Sequence, residues 1–64
     1  MWLNLTSISH GGRCVRVNFD TVTRYYYDNR NSKTFLYFLG SKEFMEVKET
    51  SDQIDEMIKR YGRA

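Results

Sequence analysis

Thr34-Phe35-Leu36-Tyr37-Phe38-Leu39 is the most apolar run of the 64-residue chain, and the architecture follows from it. These six residues are rich in β-branched and aromatic side chains and end at Gly40-Ser41, which is the length and composition of a strand. Side chains of a strand alternate between two faces. Leu36 and Phe38 therefore share one face, and Phe35, Tyr37 and Leu39 the other. Both faces are apolar, so both should be covered: one by a core, the other by an assembly or binding contact.

Working outward, the flanking segments read as further strands. Leu3 and Leu5 alternate with Asn4 and Thr6 over residues 2–8, and Gly11-Gly12 supply the following turn. Val15, Val17 and Phe19 alternate with Cys14, Arg16 and Asn18 over 14–19, and Asn18 and Asp20 bracket a tight bend. A third strand covers 22–27, where Val22 and Tyr25 lie three apart and would both face inward only across a bulge. Without a bulge, Tyr25 and Tyr27 share a face opposite Arg24 and Tyr26. The central strand covers 34–39, and a hairpin at Gly40-Ser41 leads into a fifth over 43–49.

The chain then turns helical over about 51–61. Thr50 and Gln53 have the spacing of a capping box, Ile54, Met57, Ile58 and Tyr61 form one stripe, and Gly62 is placed to end the helix as a left-handed cap. The expected fold is α+β, mainly β. It is a five-stranded antiparallel meander, curled or closed into a small barrel, with one C-terminal helix on one face. The expected core is Leu3, Leu5, Val15, Val17, Phe19, Leu36, Phe38, Met45, Val47 and the helix stripe. The outer face is expected to carry Trp2, Arg16, Phe35, Tyr37 and Phe44, with Tyr25 and Tyr27.

Size and composition narrow the function classes. The chain is one domain over 1–64, and at this length only about 60% of the unfolded surface is buried, so a lone monomer is marginal. Disulfides, metals or oligomerisation usually compensate. Cys14 is the only cysteine, and His10 with Cys14 falls short of the four ligands of a zinc site, which leaves oligomerisation. The single thiol fits a reducing cytosol and a cytoplasmic location. No apolar stretch approaches the roughly 20 residues of a membrane span, and the start has no signal-peptide pattern. The net charge is +2, with five basic groups against two acids over residues 1–33 and five against six over 34–64.

The pattern resembles the small bacterial FlbD/SwrD family, and similar small bacterial or phage proteins. The likeness rests on Leu3-x-Leu5, a Gly turn, Val17-Asn18-x-Asp20-x-Val22, Thr34-x-Leu36-x-Phe38, and Val47-Lys48-Glu49-Thr50 leading into Ile54 and Ile58. The resemblance implies the same fold and a motility-associated role, and it brings no catalytic residues.

Two constellations could carry chemistry. Cys14 and His10 flank the glycine turn, but catalysis would need a third, orienting group, so they are read as a semi-buried thiol and a loop histidine. The acids from Glu43 to Glu56 read as a solvated face and a helix N-terminus. No enzyme activity and no cofactor is expected.

Arg13, Arg16, Arg24, Tyr25, Tyr27 and Tyr37 are the candidate binding residues, and Trp2, Phe35, Tyr37, Leu39 and Phe44 the candidate oligomer interface. Such a surface suits a non-enzymatic, homo-oligomeric interaction protein with a protein partner, for instance a phage-encoded inhibitor of a host system. Alternatively, the same rings and arginines bind a nucleotide-type ligand or single-stranded nucleic acid.

Overall fold

The computed structural model describes residues 1–62. Arg63 and Ala64, the end of the expected domain, lie outside the described residues. The elements are β1 (Trp2–Ser7), β2 (Arg13–Asn18), β3 (Val22–Asp28), β4 (Lys33–Phe38), β5 (Phe44–Val47) and α1 (Ser51–Gly62). The fold is α+β and mainly β: five antiparallel strands in one open sheet, with a C-terminal helix.

The strand order is β2-β1-β5-β4-β3. Three links of the expected meander are present as hairpin pairs, β1·β2, β3·β4 and β4·β5. The fourth is different. β2 and β3 follow one another in sequence but form opposite edges, joined by a turn in which Asp20 N–H donates to Asn18 Oδ1 (3.1 Å) and Thr21 Oγ1 to Asn18 O (2.8 Å). The curl of the sheet instead brings the first and last strands together at Ser7 and Val47, both fully buried. Backbone bonds from Ile8 N to Glu46 O (2.9 Å) and from Lys48 N to Thr6 O (3.0 Å) flank that position.

The core lies between the inner sheet face and α1. Leu3, Leu5, Val17, Leu36, Val47 and Ile54 are buried, and Val15, Phe19, Val22, Tyr25, Phe38, Met45, Met57 and Ile58 pack around them. Period-2 alternation accounts for the strand members, because paired residues in adjacent strands share a face: Leu3 with Val17, Leu5 with Val15, Leu36 with Met45. Tyr61 departs from the expected stripe. It lies in the last turn and is half exposed.

Two polar side chains are buried in this core, and both are satisfied. Ser7 Oγ lies 2.9 Å from His10 Nδ1. Thr34 Oγ1 donates to the Glu49 carbonyl (2.5 Å). The Glu49 carboxylate reaches the other way and accepts from Thr6 N–H (2.8 Å) and Thr6 Oγ1 (2.9 Å). Glu49 thereby extends the short β1·β5 seam past its last backbone bond and ties it to β4.

At the start of α1 the capping box is complete. Thr50 N–H donates to Gln53 Oε1 (2.8 Å), and Gln53 N–H to Thr50 Oγ1 (3.1 Å). Asp52 in the first turn and Lys59 and Arg60 in the last complement the helix dipole. The helix runs through Gly62.

Candidate binding face

The outer surface of β3, β4 and β5 is set by a bulge. The pairing of β3 with β4 shifts between Val22 and Arg24, so that Val22 meets Phe38 and Tyr25 meets Leu36. Both then point at the core, as their three-residue spacing allows only with an extra residue. The shift corrects the expected facing of the tyrosines. Tyr25 and Tyr27 lie on the inner, helix-side face, Tyr27 opposite the buried Thr34, and Tyr26 takes the outer position opposite Phe35. Tyr25 spans to the helix, where its hydroxyl donates to Asp55. Burial first, and then that hydrogen bond to a carboxylate, push the Tyr25 hydroxyl up to about 12.

Four rings form the outer cluster: Tyr26, Phe35, Tyr37 and Phe44. Tyr26 and Tyr37 stack at 5.9 Å between centroids and 18° between planes, with their hydroxyls 3.3 Å apart. That hydrogen bond is the main cause that raises the Tyr26 hydroxyl above its ordinary value. Phe44 meets Phe35 edge-on at 5.2 Å and Tyr37 at 5.9 Å, and Tyr26 lies 5.3 Å from Phe35. Such offset and edge-to-face contacts add to what burial alone gives.

Cations rest on two of the rings. The Arg24 guanidinium lies 4.4 Å over Tyr37, and Lys33 Nζ lies 5.3 Å from the Phe35 centroid while pairing with Glu46 at 2.9 Å. Tyr26 and Phe44 remain about half exposed. The chain thus leaves a contiguous aromatic surface in water on the side of the sheet away from its helix.

Of the expected site residues, the structure brings together Arg24, Phe35, Tyr37 and Phe44, with Tyr26 added. Leu39 lies just past the end of β4 and is strongly exposed. Trp2 and Arg16 sit elsewhere, on the outer face of β1 and β2. Trp2 pairs with Asn18, Arg16 with Asn4, and the two line a shallow recess of about 210 Å³. Arg13 is exposed at the start of β2, opposite Ser7. Among the described residues the side-chain ion pairs are Lys33–Glu46 and Arg60–Glu56, so Arg13, Arg16 and Arg24 have no carboxylate partner.

Cys14 is exposed, not semi-buried, and faces outward opposite Thr6, whereas His10 bonds the core-facing Ser7. Among the described residues no three His, Cys, Asp or Glu side chains are grouped to hold a metal ion. No described helix is long and apolar enough to cross a membrane.

Two larger recesses lie off the aromatic face. One of about 550 Å³ is lined by Lys48, Glu49, Gln53, Glu56, Met57 and Arg60, but Glu49 already serves Thr6. The other, about 400 Å³, opens at the start of β3 beside Phe19, Val22, Tyr25 and Ile58. In comparisons with known proteins, the chain matches no family model, no curated protein and no solved structure.

Proposed function

We propose that the protein is a non-enzymatic interaction module that works as a homo-oligomer and presents the aromatic face of β3, β4 and β5 to protein surfaces. The observation that carries this reading is the four-ring cluster of Tyr26, Phe35, Tyr37 and Phe44, open to water and roofed at two rings by cations. Aromatic rings and arginine are the residues that dominate binding energy at protein interfaces. A cluster already packed on itself is also preorganised, so little side-chain freedom is lost on docking.

Binding of bases finds less support on the same face. Stacking platforms need free ring faces, but Tyr37 is covered by Arg24 and stacked on Tyr26. The Trp2–Arg16 recess, about 210 Å³, is smaller than the 300 Å³ or so at which ligand pockets begin.

Native mass spectrometry of the intact chain tests the proposal. A discrete oligomer is expected. A clean monomer for the unaltered chain would refute the oligomeric reading. Tight binding of oligothymidylate that falls steeply with salt would transfer the face to nucleic acid.

A further inference from the structure

β3 is an edge strand, so every second backbone amide and carbonyl along it points away from β4 with no partner strand. Natural edges are usually blunted by charged side chains, proline or irregular geometry. The bulge blunts the start of this one, at Val22–Arg24, but residues 24–28 run in regular register against 37–33. That regular run is Arg24-Tyr25-Tyr26-Tyr27-Asp28, with a cation at one end, an anion at the other and three tyrosines between. Arg24, Tyr26 and Asp28 share the outer face, and Tyr25 and Tyr27 the inner one.

We infer that two copies of the chain join edge to edge through antiparallel pairing of β3 with β3, about a two-fold axis at Tyr26. The run is self-complementary in that register. Arg24 of each copy falls opposite Asp28 of the other, Tyr25 opposite Tyr27, and Tyr26 opposite itself. A two-fold interface requires one patch to match its own rotated image, and this segment does so in charge and in its run of tyrosines. The inference rests on the oligomeric reading above and specifies the contact that makes the oligomer.

The groups are free to do this. Arg24 is exposed and has no carboxylate partner among the described residues. A guanidinium stacked on a ring, as Arg24 is on Tyr37, keeps its in-plane N–H donors open to a carboxylate. Asp28 accepts from Arg30 N–H (3.0 Å) on one oxygen and from Asn31 Nδ2 (2.8 Å) on the other, which leaves lone pairs on both. The other free edge, β2, carries Arg13 and Arg16 and no acid, so pairing it with itself gains no ion pair. In the β3-linked dimer the two four-ring clusters meet across Tyr26 and make one continuous aromatic surface on a ten-stranded sheet.

Charge swaps read by native mass spectrometry and by sedimentation test it. Arg24→Asp places like charges opposite each other twice, and so does Asp28→Arg; each should weaken the dimer roughly tenfold. The double variant, Arg24→Asp with Asp28→Arg, should recover it. A mixture of the two single variants should form a heterodimer in preference to either homodimer. An oligomer that ignores all the swaps but dissolves with Phe44→Ser would overturn edge pairing and leave the face as the contact. A monomeric unaltered chain would overturn the oligomeric reading itself. Circular dichroism of each variant checks that Asp28→Arg, which also removes a loop acceptor, remains folded; if it is not, Arg24→Asp alone decides, and an unweakened dimer overturns the inference.

Discussion

Replacing Glu49 with alanine should open the fold at its thinnest point. The β1·β5 seam has a single paired position, Ser7 with Val47, and two flanking backbone bonds. Beyond them, the Glu49 carboxylate accepts both Thr6 N–H at 2.8 Å and Thr6 Oγ1 at 2.9 Å, in part-buried surroundings. A hydrogen bond to a charged group contributes about 1.5–3 kcal/mol, and water that enters the vacated space recovers part of this. For the two together, a loss of about 2–3 kcal/mol is expected. In a domain of this size each kcal/mol moves the melting temperature by about 4–8 °C, so Glu49→Ala should melt roughly 10–20 °C lower. Glu49→Gln keeps one acceptor for Thr6 N–H and should fall between the two. The assay is thermal unfolding followed by circular dichroism at one fixed protein concentration, because assembly would otherwise add its own stabilisation. A drop of less than about 3 °C for the alanine variant would refute the view that Glu49 closes the seam.

The remaining predictions concern the helix and its anchor. Ile54→Ala removes a fully buried side chain and should remove about 2–5 kcal/mol, close to all that a core of this size supplies, so the variant should be largely unfolded by circular dichroism. Thr50→Ala leaves Gln53 N–H without its acceptor and should lower stability by about 1 kcal/mol in urea unfolding. Tyr25 has its hydroxyl pushed up to about 12 from 10.0, so its neutral form is the one the fold favours. That contribution is complete below pH 10 and is lost as pH rises from 10 toward 12, so stability of the unaltered chain should decline across that window more steeply than that of Tyr25→Phe.

Much of this architecture is legible in local pattern. Alternation places Leu3, Leu5, Val15, Val17 and Leu36 on the core face, and the Thr50–Gln53 spacing gives the helix start. What pattern does not carry is pairing between distant segments. The β1·β5 seam depends on how far the sheet curls, and no residue near Ser7 announces Val47 as its neighbour. The tyrosine run fails for a related reason. Its facing turns on one irregularity between Val22 and Arg24, set by the partner strand, and that shift exchanges Tyr26 for Tyr25 and Tyr27 on the exposed side. The three-residue interval from Val22 to Tyr25 is the available signal for it. Trp2 was separable from the other rings only once the strand order placed it on β1, paired with Asn18 of the β2 edge.

The strand order also predicts an order of folding events. Hairpins such as β3·β4 close over short loops and form within about 1–10 μs, whereas Thr6 and Glu49 lie 43 positions apart and must wait for the intervening chain to collapse. The contact that forms last and rests on the fewest bonds is the natural place for the native protein to open first. Amide protons of Ile8 and Lys48, which bridge that join, should therefore exchange with solvent ahead of those in the β4 centre around Leu36. The opening stays local to that join, because Leu3, Leu5 and Val17 of β1 and β2 are buried in the same core as Leu36, Val47 and Ile54.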